Sequence, residues 1–217
     1  MLSIKQIKRN ITDSLIAGQE LIEEHRDEGY SWYENAADQT HKMARHYDRS
    51  AVEVAIVLGC SSRSCSVVES FRRTCDYLET GTTCGFAHGY IESNLQRFIC
   101  YGLLPNPVTS PKVSQFVDNV LNGDSWHNLT LDRHSFSLSI GETVEAINNM
   151  ELVRRIRVAH FQLSTEFEVK VSELQSVSWI GWRSHVGRFP SIDRYNFETH
   201  HKDVFADFDC HEYCLQR

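Results

Sequence analysis

SPKVSQFVDNVLNGDSWHNLTLDRHSFSLSIG, residues 110–141, contains two helix starts in close succession. Ser110 is a good N-cap, and Pro111 suits the first helical position, where its missing N–H costs nothing. Val113, Phe116, Val117, Val120 and Leu121 then recur at i, i+3, i+4, i+7 and i+8, one face of an α-helix, and Gly123 can close that helix in a left-handed cap. Lys112 falls in its first turn. Leu129, Thr130 and Leu131 lead into Asp132, which reads as the N-cap of a second helix carrying Phe136, Leu138 and Ile140 and ending at Gly141. The stretch therefore sets a lysine and an aspartate at the mouths of two successive helices.

Outward from it, the same 3.6-residue period recurs. Residues 3–26 predict an amphipathic helix on Ile4, Ile7, Ile11, Leu15 and Leu21-Ile22, and another follows from Glu34 to about Tyr47 behind the aromatic run Tyr30-Ser31-Trp32-Tyr33. Helices are expected at 67–78, 90–100, 142–167 and 171–185, the last strongly apolar through Leu174, Val177, Trp179, Ile180 and Trp182. Residues 59–66 and 80–88 read as polar or glycine-rich connections, and 102–111, with three of the four prolines, as an extended linker. The fold class is all-α. One helical domain over 1–190 is expected, with 1–33 packing on it beside the 171–185 helix, and a tail at 191–217.

The 217 residues are 41% hydrophobic, ordinary for a globular chain. No apolar run approaches the roughly 20 residues of a membrane helix, and the N-terminus lacks a signal-peptide core, so no membrane is expected and the cytoplasm is the expected compartment. Seven scattered cysteines in a chain that can build a core read as reduced thiols. The net charge of −7 counts against binding to nucleic acid without excluding it, and Arg154, Arg155 and Arg157, and further on Arg183, Arg188 and Arg194, can form a basic face if they converge. His200, Cys210 and Cys214 have the residue types of a zinc site at loose spacing; no other cofactor is expected. No nucleotide-binding glycine loop or serine-hydrolase elbow is present in the sequence. The oligomeric state is left open.

Lysine at a helix start, a helix with an aromatic and β-branched inner face, and a hydrophobic lead into Asp132-Arg133-His134 together resemble the helix-hairpin-helix (HhH-GPD) DNA glycosylases, including the endonuclease-III-like enzymes. The likeness covers roughly residues 35–141, and the whole chain looks like uncharacterised phage-encoded proteins of the same layout. It implies an early helix at 51–58, where the short β-branched run VEVAIVL by itself also admits a strand, with Asp48 and Ser50 as cap candidates. It further implies that residues 59–66, with Ser62 and Arg63, form the loop that fills the gap left by an extruded base, and that YIESNLQRF, 90–98, is the middle helix. The chain departs from the family at the hairpin: Asn106-Pro107-Val108-Thr109-Ser110-Pro111 stands where a glycine-rich turn would grip a phosphate.

What the resemblance implies chemically is hydrolysis of an N-glycosidic bond in DNA. Bond cleavage builds positive charge on the sugar, which a carboxylate in a water-poor pocket offsets. Asp132 takes that role, and Lys112, facing the same cleft, is the candidate Schiff-base nucleophile; otherwise Asp132 positions a water. Ser62, Arg63, Tyr90, Asn94, Ser110, Arg133 and His134 are the candidate DNA or substrate contacts. The plainer alternatives are a helix cap for Asp132, a solvated lysine for Lys112 and packing roles for Tyr90 and Asn94. Two further readings stay open: a DNA-binding module with the fold but not the chemistry, and a phage base-hypermodification enzyme resembling the thymine-pyrophosphorylase relatives of the glycosylases.

Overall fold

A computed structural model describes residues 2–25, 29–62, 65, 67–83, 87–122, 127–145, 147 and 149–186. Among them the chain is helical throughout and contains no strand: α1 (Ile4–His25), a 3-10 turn (Gly29–Ser31), α2 (Trp32–His46), α3 (Ala51–Ser61), α4 (Val67–Thr80), α5 (Ala87–Tyr101), α6 (Pro111–Asn122), α7 (Arg133–Ile140), α8 (Met150–Glu166) and α9 (Val171–His185). The all-α class is as expected. The chain divides into two compact units, one from Met1–Asn35 together with the part from Asn122 through α9, the other from Ala36–Leu121.

In the first unit α1, α7, α8 and α9 surround a core that includes Ile7, Ile11, Leu131, Phe136, Ile156 and Leu174. As expected, α1 and α9 pack together, and the contact is between backbones: a Cβ on Gly18 would lie 2.0 Å from the Val177 carbonyl oxygen, and one on Gly181 2.0 Å from that of Ser14. Two glycines thus replace side chains at this crossing, and Ser14 and Gly18 sit one turn apart on α1 as Val177 and Gly181 do on α9. Outside the crossing, Lys8 pairs with Glu166, and Asn10 Nδ2 donates to the Ser139 carbonyl at 3.1 Å.

The helix expected at 142–167 begins eight residues late. Gly141, at φ 79° in the left-handed region, closes α7, and Asn149 starts α8 by accepting the Leu152 N–H on its side chain at 3.0 Å. Val144 and Ile147, expected on a helical face, instead pack on the core from the connection between the two helices.

His160 lies fully buried on α8. Its Nδ1 bonds the Ile156 carbonyl at 2.9 Å and Nε2 has no partner among the described residues. Burial, reinforced by the nearby Arg157 charge, holds its pKa down to about 4 against the hydrogen bond that pulls the other way. The unfolded chain therefore binds a proton that the native state refuses between pH 6.5 and 4, so this contribution is complete above pH 6.5 and is lost as pH falls. The expected loss is about 3 kcal/mol. Urea unfolding as a function of pH measures it, and His160→Leu should flatten the acid limb; an unchanged limb would assign the effect elsewhere.

In the second unit α3 is buried along residues 54–61 on every side, which is why its sequence lacks an amphipathic period. A capping box starts it: Ser50 Oγ accepts the Glu53 N–H at 3.2 Å while Glu53 accepts the Ser50 N–H at 2.9 Å. The strand alternative for this segment is thereby replaced by helix. The connection expected to start at Gly59 starts at Ser62, because Gly59, Cys60 and Ser61 complete the last turn. Tyr77 of α4 donates to Glu92 of α5, and burial together with that bond raises the phenol's pKa. Gly59 lets α6 approach, a Cβ there meeting Val117 at 2.9 Å and Val113 at 3.2 Å.

Candidate functional site

The close approach at Gly59 brings the start of α6 to the end of α3. Lys112 Nζ donates to the Ser62 carbonyl at 3.1 Å and approaches its hydroxyl at 3.4 Å. A last-turn carbonyl has no helical donor of its own, and a cation belongs there, so this contact also caps α3. Two residues before Lys112, Ser110 Oγ accepts a 2.6 Å hydrogen bond from the Tyr90 hydroxyl of α5. Asn94, one turn beyond Tyr90, spends its amide on the Tyr90 carbonyl at 2.8 Å, an intrahelical bond, and is 8% exposed. Ser62, Tyr90, Ser110 and Lys112 therefore form one cluster of hydroxyls and an ammonium, assembled from three separated stretches. Arg63, expected beside Ser62, lies outside the described residues.

Where the resemblance sets a glycine turn, the chain builds one on asparagine. Asn106 Oδ1 accepts the Val108 N–H at 2.8 Å and the Thr109 N–H at 3.4 Å, and the Asn106 carbonyl accepts from Ser110 at 2.8 Å. The two amides that point into this turn are occupied by a side-chain oxygen and are not offered to a phosphate.

Lys112 belongs to the second unit and Asp132 to the first. Asp132 is the N-cap of α7 as expected: Oδ1 accepts the Ser135 N–H at 2.7 Å, so the cap engages one carboxylate oxygen. Its approach is held by Gln175 of α9, which the sequence reading missed. Gln175 Oε1 accepts the Thr130 N–H at 3.0 Å, and Nε2 donates to the Thr130 carbonyl at 2.6 Å and to Ser135 Oγ at 3.1 Å. Both backbone groups of a buried residue are thus satisfied by one amide, which fixes the chain two residues before Asp132. The available signal was a glutamine among the apolar residues of an otherwise buried helix.

Arg133 is exposed, and the His134 ring stands edge-on to Trp179 of α9, centroids 6.4 Å apart. On α8, Arg155 bonds Glu151 at 3.0 Å and the Leu2 carbonyl at 3.2 Å, Arg154 lies 3.8 Å from the same Glu151, and Arg157 is half-buried. Among the described residues no group of three His, Cys, Asp or Glu side chains is arranged to hold a metal ion; His200, Cys210 and Cys214 lie outside them. Among the described residues no helix is long and apolar enough to cross a membrane.

These elements define an all-α protein with a lysine-and-hydroxyl cluster in one unit and a braced, capping aspartate in the other. The chain belongs to a family of unknown function, DUF7178, whose model matches residues 2–186. No curated protein and no solved structure matches it.

Proposed function

We propose that this protein is a helix-hairpin-helix DNA glycosylase-like enzyme that releases a modified or damaged base from DNA after the nucleotide is flipped out, with Asp132 as the carboxylate that offsets positive charge on the sugar. The observation that carries the reading is the cluster of Ser62, Tyr90, Ser110 and Lys112. The resemblance implies Lys112 as a nucleophile and Ser62, Tyr90 and Ser110 as DNA or substrate contacts, and two hydrogen-bonded pairs, Lys112 with Ser62 and Tyr90 with Ser110, gather them at the start of α6. In this reading Lys112 ties the helix that carries it to the first residue of the loop that enters the duplex.

The test is incubation with duplexes bearing assorted modified bases, with borohydride present. Base release is the expected result. If Lys112 is also the nucleophile, borohydride traps a covalent adduct that Lys112→Gln abolishes, because only an amine forms the Schiff base. Release without an adduct assigns the attack to water; no release from any duplex removes the enzymatic reading.

A non-catalytic DNA-binding protein of the same fold is the second reading. It is favoured by the duties both candidates already perform, Lys112 on the end of α3 and Asp132 on the start of α7. Binding to duplex without any base release is its expected signature. A base-hypermodification enzyme would differ from both by leaving an altered base in the DNA.

A further inference from the structure

We propose that residues 99–108 form a self-complementary apolar surface on which two copies of this chain pair, an inference independent of the glycosylase-like reading. Among the described residues the exposed large apolar side chains occur singly along the sequence except here, where Ile99, Tyr101, Leu103, Leu104 and Val108 follow closely on one another, from 40% exposed at Leu104 to 85% at Val108. All five belong to the second unit. α5 ends at Tyr101, and Gly102, at φ 65° with its N–H on the Phe98 carbonyl at 2.7 Å, closes it. The stretch is anchored beyond the helix too: Pro105 is buried, and Asn106 holds the amides of Val108 and Thr109. The apolar side chains therefore stand on a fixed backbone, and less freedom is lost when a partner covers them.

Size and charge commit this surface to a second copy. The five side chains leave on the order of 500 Å² in water, the upper part of the range for the largest apolar patch on an ordinary monomer. Cys100, Pro107 and Thr109, also exposed, widen it toward the roughly 800 Å² that one side of a stable pair covers. Between Arg97 and Lys112 the sequence has no charged residue. A duplex finds no phosphate contact on such a surface, and a strongly charged protein finds no counter-charge. Two copies of a chain at net charge −7 repel one another, so they meet most favourably where both faces are uncharged, as this one is on both sides of a two-fold axis.

Sedimentation of the full chain across the micromolar range, with maleimide labelling of Cys100 read by peptide mass spectrometry, tests the pairing. The wild type should pass from monomer to dimer as concentration rises, and Cys100, exposed in the single chain, should lose reactivity over the same range. At a two-fold interface each substitution enters twice, so Tyr101→Glu should weaken pairing at least about tenfold. Val108→Glu is the second variant, and it decides the matter if Tyr101→Glu loses its helical circular dichroism. Met150→Glu adds the same charge at an exposed apolar residue of the first unit and should leave pairing unchanged. Equal weakening by all three variants would assign the effect to net charge and overturn the surface, as would a dimer that both patch variants leave intact. A wild type that stays monomeric with Cys100 reactive throughout leaves the patch to a different partner and overturns the pairing. Cys100 protection that persists at every dilution assigns the cover to the same chain and overturns it too.

Discussion

Asp132→Asn is expected to keep its fold and its affinity for DNA while base release falls by roughly two orders of magnitude or more, the scale for losing one preorganised electrostatic group. On the glycosylase-like reading proposed above, the carboxylate offsets charge that develops only in the transition state, so ground-state binding has no need of it. Asparagine is also a good N-cap, and its side-chain oxygen can accept the Ser135 N–H that Asp132 Oδ1 now takes, so α7 still starts where it does. Gln175 holds residue 130 by its backbone and is indifferent to the change. If Asp132 is only a cap, the pattern inverts: the Asn variant loses nothing, and Asp132→Ala costs about 1 kcal/mol of stability. Single-turnover base release beside urea unfolding of the same variants separates the two cases, and full activity in the Asn variant would end the catalytic assignment.

Gly181→Ala should destabilise the protein by about 3 kcal/mol or more, a large share of the roughly 5–15 kcal/mol that holds a typical domain. The added methyl would lie 2.0 Å from the Ser14 carbonyl oxygen and 2.6 Å from the Gly18 nitrogen. Both are backbone atoms, which cannot rotate away as the end of a side chain does, so α1 and α9 must separate and loosen the core between them. The gain in helix propensity, at most about 1 kcal/mol, is far too small to compensate. Gly89 of α5 is the control, since a Cβ there meets nothing within 4 Å among the described residues; Gly89→Ala should raise stability by up to about 1 kcal/mol. A Gly181→Ala protein with an unchanged urea midpoint would mean that the two helices do not cross this closely.

Much of the helical layout was legible in order along the chain because its signals are local. α6 starts at Pro111, α7 is capped by Asp132 and closed by Gly141, and α9 spans Val171–His185, as caps and period indicated. The misplacement at α8 has a local cause too: Asn149 provides the cap, and the apolar Val144 and Ile147, which imitate a helical face, pack partly buried against the core from a connection. α3 was ambiguous for the opposite reason. A helix surrounded on all sides has no polar face, so its sequence shows no period, and only the cap candidates Asp48 and Ser50 marked it, of which Ser50 is the cap.

By itself the sequence determined the all-α class, the mouths of α6 and α7 and the presence of a lysine at one and an aspartate at the other, because an N-cap, a left-handed glycine and a 3.6-residue stripe are written within a few neighbouring residues. Only the tertiary structure decided what those mouths are joined to: Lys112 to Ser62 across 50 residues, Tyr90 to Ser110 across 20, and Gln175 to Thr130 across 45. It alone gave Gly18 and Gly181 their meaning as a crossing and His160 its loss of affinity for a proton. Hydrogen-bond partners and contacts between backbones at these separations depend on how whole helices pack, and packing sums weak interactions over many residues that no local pattern records.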